Sequence, residues 1–184
     1  MTIIMKKLIY TIFFLSIISC KGQVGENSSQ YYSYNPDNFN FSINFQKKPV
    51  ENHTVQSNIF GQMEINRAYS ENKSDQMAFA IIYSKYLKED LEQLKPSLKE
   101  FYDNAERQGA EMVSGKVVIS QSFEIDGLEG REVRISMRDG ELLMTSRMLL
   151  NDTEFYIWSS TYLKNNEWNK KKTDFLNGLE INKK

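Results

Sequence analysis

The sequence predicts an α+β fold: an antiparallel sheet of six to seven strands with helices on both faces, a three-layer α/β/α sandwich. Three observations carry this expectation. Seven segments show either the two-residue period of half-buried strands or an unbroken apolar run. Two stretches, one mid-chain and one at the end, show the three-and-four spacing of amphipathic helices. The third strand-like segment, residues 76–83, contains MAFAIIY, which is apolar in both directions and so needs cover on both sides. A β-barrel closed by a terminal helix is the alternative, and the two-sided strand counts against a polar-lined form of it.

Taken in order, the chain opens with a segment that does not belong to this fold. Lys6 and Lys7 precede Leu8 to Ser19, a stretch without charge and mostly apolar. Its length falls short of the ~20 residues a helix needs to cross a bilayer. A basic start, a short apolar core and small residues before a break describe a secretory signal over residues 1–19. Met5 begins MKKLIY, a more usual opening than Met1, so either is a candidate start. Ile17-Ile18-Ser19-Cys20 resembles the lipobox of bacterial lipoproteins. That resemblance implies lipidation of the Cys20 thiol, cleavage before Cys20 and acylation of the new amine. Cys20 is the only cysteine, so no intrachain disulfide competes for it. The expected location is the cell envelope, anchored by lipid to a membrane. The default is the periplasmic side of the outer membrane, because no acid-rich stretch follows Cys20.

Residues 20–35 read as the lipidated cysteine and a polar tether without periodicity. Tyr31, Tyr32 and Tyr34 are expected to pack on the start of their own domain. The domain itself is placed at 36–184. With aromatics at 12% and only three prolines, it is globular rather than disordered. Acidic residues outnumber basic ones once Lys6 and Lys7 are removed. A net acidic domain speaks against nucleic acid as a partner.

Within the domain, Asn35-Pro36-Asp37 signals a turn. Phe39, Phe41, Ile43 and Phe45 then alternate with polar residues, and Lys48-Pro49 ends that strand. A loop carrying His53 leads to a second strand at 62–70, and polar residues 70–75 lead to the third at 76–83. Leu91, Leu94, Leu98, Phe101, Tyr102 and Ala105 place a helix over about 90–108, capped by Asp90 or Ser97 and stopped at Gly109. Pro96 either kinks it or starts a second helix after a first of a turn or two.

A meander follows, with strands near 115–124, 130–138, 141–150 and 154–162. Asp126-Gly127, Asp139-Gly140 and Asn151-Asp152 separate them. Asp-Gly between two strand-like runs is a strong hairpin signal. A two-residue loop at Asp139-Gly140 sets Glu132 opposite Arg147, and Val133, Ile135 and Met137 opposite Ser146, Met144 and Leu142. The final helix is placed at about 165–177, capped by Asn165 or Asn166. Trp168, Phe175 and Leu176 share its face, Gly178 lies just beyond its end, and a short strand follows at 179–181.

FNFSINF, a strand ending in Tyr before a helix, IDGLEGREVRI, a hairpin, LLMTSRMLLNDTEFYIWSS and a closing FLNGLEI together resemble the PsbP-like α/β/α sandwich over about residues 36–182. That family is named for an extrinsic subunit of photosystem II. It also holds a Ran-GTPase-binding nuclear import factor and many bacterial lipoproteins. Its best-known members act by docking onto larger assemblies. The resemblance therefore implies a binding or assembly role with an unidentified protein partner, and it carries no catalytic motif to transfer.

The residues themselves offer little chemistry. His53 is the only histidine, which leaves no histidine pair for acid–base work or zinc. No phosphate loop and no nucleophile elbow appear. Asp126, Glu129, Glu132 and Asp139 gather around turns, but in no calcium-loop spacing. Neither a catalytic residue, a metal site nor a cofactor is expected. Arg131, Arg134, Arg138 and Arg147 lie on two neighbouring strands. Arg134, Arg138 and Arg147 share a face, read as salt-bridged and solvated rather than as an anion site. The leading expectation is a non-catalytic envelope lipoprotein that binds a protein. The alternative is a carrier of a small apolar ligand, suggested by the aromatic-rich strands.

Overall fold

The computed structural model describes residues 31–58, 61–94 and 97–182. The expected signal, Cys20 and the tether up to residue 30 lie outside these. The fold is α+β, with two antiparallel sheets.

The larger sheet has seven strands: β3 (Val50–Asn58), β4 (Gly61–Asn72), β5 (Met77–Lys85), β6 (Lys116–Ile125), β7 (Leu128–Met137), β8 (Leu142–Asn151) and β9 (Glu154–Leu163). Their order is β3-β4-β5-β9-β8-β7-β6. The sheet is open, with β3 and β6 at its edges, so the barrel alternative does not occur. The meander has the register expected of a two-residue loop. Glu132 lies opposite Arg147, Ile135 opposite Met144 and Met137 opposite Leu142. The loop itself is longer than the two residues expected: β7 and β8 stop at Met137 and Leu142, and Arg138, Asp139 and Gly140 all take positive φ, at 48°, 53° and 91°, so Arg138 and Glu141 lie in the turn and not in the strand ladder.

The smaller sheet revises the sequence reading in two places. β1 (Tyr32–Tyr34), β2 (Phe41–Phe45) and β10 (Leu179–Ile181) pair with one another in the order β1-β2-β10. The aromatic strand Phe41–Phe45 therefore does not join the large sheet. The folded domain also begins before residue 36, because Tyr32–Tyr34 is a strand and not tether. Tyr34 explains the boundary: it is buried among Phe41, Phe45 and Tyr83.

A further correction concerns His53. It sits in the middle of β3, opposite Asn66 of β4, and not in a loop. β3 (VENHTVQSN) is an edge strand exposed along the part where side chains are described, so it lacks the apolar alternation that would have marked it.

The helical stretch divides at Pro96 into α1 (Lys88–Leu94) and α2 (Leu98–Met112), the second of the two outcomes considered. Ser97 caps α2 with a reciprocal box. Its hydroxyl accepts from the Glu100 N–H at 3.2 Å, and the Glu100 carboxylate accepts from the Ser97 N–H at 3.0 Å. Ser97→Ala is expected to cost about 1 kcal/mol, read as a lower urea midpoint with an unchanged slope. Gly109 does not stop the helix. Nothing lies within 4 Å of the place where its side chain would project, so it is tolerated in the helix, and α2 ends three residues later, where Ser114 turns to φ 51°.

α3 (Lys170–Leu176) is shorter than expected. Asn169 caps it, in place of Asn165 or Asn166, by accepting from the Lys171 N–H at 2.9 Å. Trp168 precedes it and is 90% exposed, so it is not on the buried face with Phe175 and Leu176. Gly178 lies just past the end, and a Cβ there would meet the Asp174 carbonyl oxygen at 2.8 Å.

Alternating residues of the large sheet feed two apolar clusters. One gathers Val133, Ile135, Met137, Met148 and Phe155 with Tyr102 and Ala110 of α2. The other gathers Phe79, Ile81, Tyr156, Trp158 and Tyr162 with Phe41, Ile43 and Phe45 of β2 and Phe175 and Leu176 of α3. Gly130, from the IDGLEGRE segment, lets Phe123 lie across β7. A Cβ at Gly130 would run into that ring and lie 2.7 Å from the Met148 carbonyl oxygen. Phe123 in turn packs edge-on against Trp158.

Candidate functional site

A solvent-open cleft of about 380 Å³ lies where the β1–β2 turn arches over the start of the second cluster. Its floor is a chain of hydroxyls. The Tyr34 and Tyr83 hydroxyls are 2.7 Å apart, and Tyr34 donates to the Glu51 carboxylate at 3.1 Å. An ionised carboxylate only accepts. Tyr34 therefore spends its proton on Glu51, and Tyr83 donates to Tyr34. Burial, and then the bond to Tyr83, push the Tyr34 hydroxyl far above the ordinary phenol range; burial raises Tyr83 as well. The chain stays neutral at its two phenols through physiological pH, so it is a hydrogen-bonding platform rather than an acid–base pair. Asn66 also lines the cleft, and its side-chain oxygen accepts from His53 Nδ1 at 3.1 Å. Asp37 and Asn38 of the turn complete a lining that is mainly polar.

The sequence reading missed this cleft. Sequence alone places Tyr34 in a tether, Glu51 and His53 in a loop, and Tyr83 at the end of an apolar strand. Only the pairing of β1 with β2 and of β3 with β4 brings them together.

The four arginines form no common site. Arg131 turns toward α2, donating to Asp103 at 3.2 Å and lying 3.5 Å from the Glu106 carboxylate. Arg134 bonds Glu167 at 2.5 Å. Arg147 bonds Glu132 at 2.7 Å, the Leu176 carbonyl at 2.9 Å and Asn177 at 2.8 Å. Arg138 is exposed at the β7–β8 turn. Three of them thus serve the fold. Arg147 in particular satisfies a carbonyl left over at the end of α3, shared with the Trp158 ring N–H at 2.8 Å.

Two buried charges had no signal in the sequence. Lys172 donates to the Glu167 carbonyl and stands 4.7 Å over the Tyr162 ring; burial first, and then Arg134, lower its pKa below the usual lysine range. Glu154 accepts from Tyr156 and, at 3.2 Å, from Asn40, the residue just before β2. Each is masked in sequence as an ordinary surface charge.

The turn acids do not converge. Glu132 is engaged by Arg147, and the Glu129 carboxylate accepts from the Ser122 hydroxyl at 3.4 Å. Among the described residues no group of three or more His, Cys, Asp or Glu is placed to hold a metal ion, and no helix is long and apolar enough to cross a membrane.

No protein-family description matches the chain, and no curated protein matches it. Among solved structures, it is similar to the solution structure of cyanobacterial PsbP (CyanoP) from Synechocystis sp. PCC 6803. The two share 9% identity, with a TM-score of 0.57 over 90% of this chain and 98% of that one. The fold is PsbP-like.

Proposed function

From the PsbP-like fold as premise, we propose that this chain is a lipid-anchored envelope protein whose domain binds a protein partner or supports an assembly, without catalysing a reaction. We read the two apolar clusters as the interfaces of a three-layer sandwich: α1 and α2 over one face of the large sheet, the small sheet and α3 over the other. Anchoring is assigned to Cys20, on the grounds of the lipobox resemblance, with the domain on the periplasmic side of the outer membrane.

The observation that carries the binding role is the β6 edge. β6 has one strand neighbour, β7, and is exposed along most of its length on both sides. Val117, Val118 and Ile119 follow one another there, with Val118 55% exposed beside a register shift. An open strand edge with apolar side chains suits the addition of a partner strand, with backbone hydrogen bonds for affinity and side chains for selectivity.

A photo-crosslinking residue at Val118 of the full-length protein in cells is expected to give one repeatable protein adduct. The same probe at Val55, on the other edge of the sheet, is expected not to give it. Identical adducts from both positions would rule out the β6 assignment.

The carrier reading is less favoured. It asks for an enclosed apolar cavity, whereas the cleft at Tyr34 has the volume but is open and lined mainly by polar groups.

A further inference from the structure

One end of the molecule differs from the other in charge, and the chain from Cys20 enters at that end. Tyr31, the first described residue, donates from its hydroxyl to Asp174 of α3 at 2.9 Å. Strand register places the β2–β3 turn, the β4–β5 turn and the β9–α3 segment at this same end. Tyr32 lies opposite Phe45, Asn72 opposite Met77, and Met77 opposite Tyr162. Side chains tie the loops together: Asn72 donates to Gln46 at 2.6 Å, Asn166 to the Asp75 carbonyl at 2.5 Å and Lys171 to the Asp75 carboxylate at 2.5 Å.

These loops carry Lys47, Lys48, Lys73, Lys164, Lys170 and Lys171, and the β7–β8 turn, placed at the same end by Leu142 opposite Leu163, adds Arg138 together with Asp139 and Glu141. Asp174 and Asp75 answer Lys170 and Lys171. Such surface pairs are worth little and exchange readily for other anions. Among the described residues, the turns at the opposite end carry Asp37, Asp126 and Asp152; Lys85 and Lys88 flank the β5–α1 link there, and Glu154 lies 3.6 Å from Lys85. Among the basic loops stands Trp168, 90% exposed and two residues from Lys170.

We propose that this basic, Trp168-bearing end docks on an anionic phospholipid bilayer, with the indole at headgroup depth and the lysines on lipid phosphates. The proposal rests on the anchoring reading for Cys20. Eleven residue steps separate Cys20 from Tyr31, a reach of at most about 40 Å. A domain of this size is itself about 30–40 Å across. The opposite end cannot face the bilayer unless the tether runs the length of the domain. An amphipathic ring flanked by lysines is the residue chemistry that membrane interfaces favour, and a basic patch is the second signal that steadies a lipid anchor.

The chain has two tryptophans, and Trp158 is fully buried, so indole fluorescence that responds to lipid reports Trp168 alone. The protein is purified with its native N-terminus and reconstituted into vesicles containing phosphatidylglycerol and a spin label near the headgroup. Emission is expected to shift to the blue and to be quenched, and both effects should vanish in Trp168→Phe. Lys164→Gln, Lys170→Gln and Lys171→Gln should each weaken binding of added anionic vesicles by about fivefold, as should high salt in part.

Quenching in the wild type no greater than in Trp168→Phe overturns the docking surface. So does equal quenching in purely zwitterionic vesicles, or a blue shift that needs added protein in place of lipid, which would make the patch a protein interface. The mass of the N-terminal peptide reports acylation of Cys20 separately. An unmodified Cys20 removes the anchor, while titration with added vesicles still decides whether Trp168 docks.

Discussion

Replacing Cys20 by Ser is expected either to release the protein from the membrane fraction or to leave it uncleaved, with its signal still attached. The size of the effect follows from the anchor. Each buried methylene contributes about 0.8 kcal/mol, and more than one chain makes attachment effectively stable. Docking through lysines and one indole is far weaker and salt-sensitive. Because Cys20 is the sole cysteine, no second thiol can substitute for it. Fractionation of cells expressing the two forms, with the mobility of each on a denaturing gel, is the measurement. A Cys20→Ser protein that fractionates and migrates like the wild type would remove the anchoring reading entirely.

Trp158→Ala is expected to destabilise the domain by about 3–5 kcal/mol, the range for emptying a large aromatic site in a packed core. The indole is fully buried where the central strand β9 meets α3 and Phe123, and its ring N–H satisfies the Leu176 carbonyl. Against a total of roughly 5–15 kcal/mol, this brings the domain close to unfolding. At about 2–4 °C per kcal/mol for a domain of this size, the melting temperature should fall by roughly 6–20 °C. Trp158→Phe keeps most of the volume. It loses only the hydrogen bond, and Arg147 still reaches the same carbonyl at 2.9 Å, so it should cost much less. Equal losses from the two substitutions, read by calorimetry, would show that volume at this site matters little.

The parts of the fold legible in the sequence were those governed by local chemistry. Asp139-Gly140 demanded a tight turn, and the tight turn set the pairing of Glu132 with Arg147 seen in the structure. Ser97 and Glu100 spelled out a helix start. Elements went unread where local pattern and tertiary role part company. β3 is an exposed edge with polar residues, so it resembles a loop. Gly109 resembles a helix stop, yet the space around it lets α2 continue. Trp168 stands seven and eight positions before Phe175 and Leu176, the spacing of one helix face, yet α3 begins only at Lys170 and Trp168 stands in solvent.

The candidate cleft was not legible at all. Tyr34, Glu51, Asn66 and Tyr83 come from four strands in two sheets, and no spacing along the chain relates them. The same holds for the basic end, whose lysines belong to separate turns.

The sequence by itself determined the α+β class, the strands of the meander, their register and the two helical periods. A turn type, a cap and a hydrophobic period are each settled by residues a few positions apart. Tertiary structure alone decided that Phe41–Phe45 leaves the large sheet for a small one, that Arg131, Arg134 and Arg147 are taken up in ion pairs, and that Tyr31 meets α3 at Asp174. These depend on which apolar faces find one another across the whole chain, and the gain from burying Tyr34, Phe41 and Phe45 together is a property of the assembled core that no short segment carries.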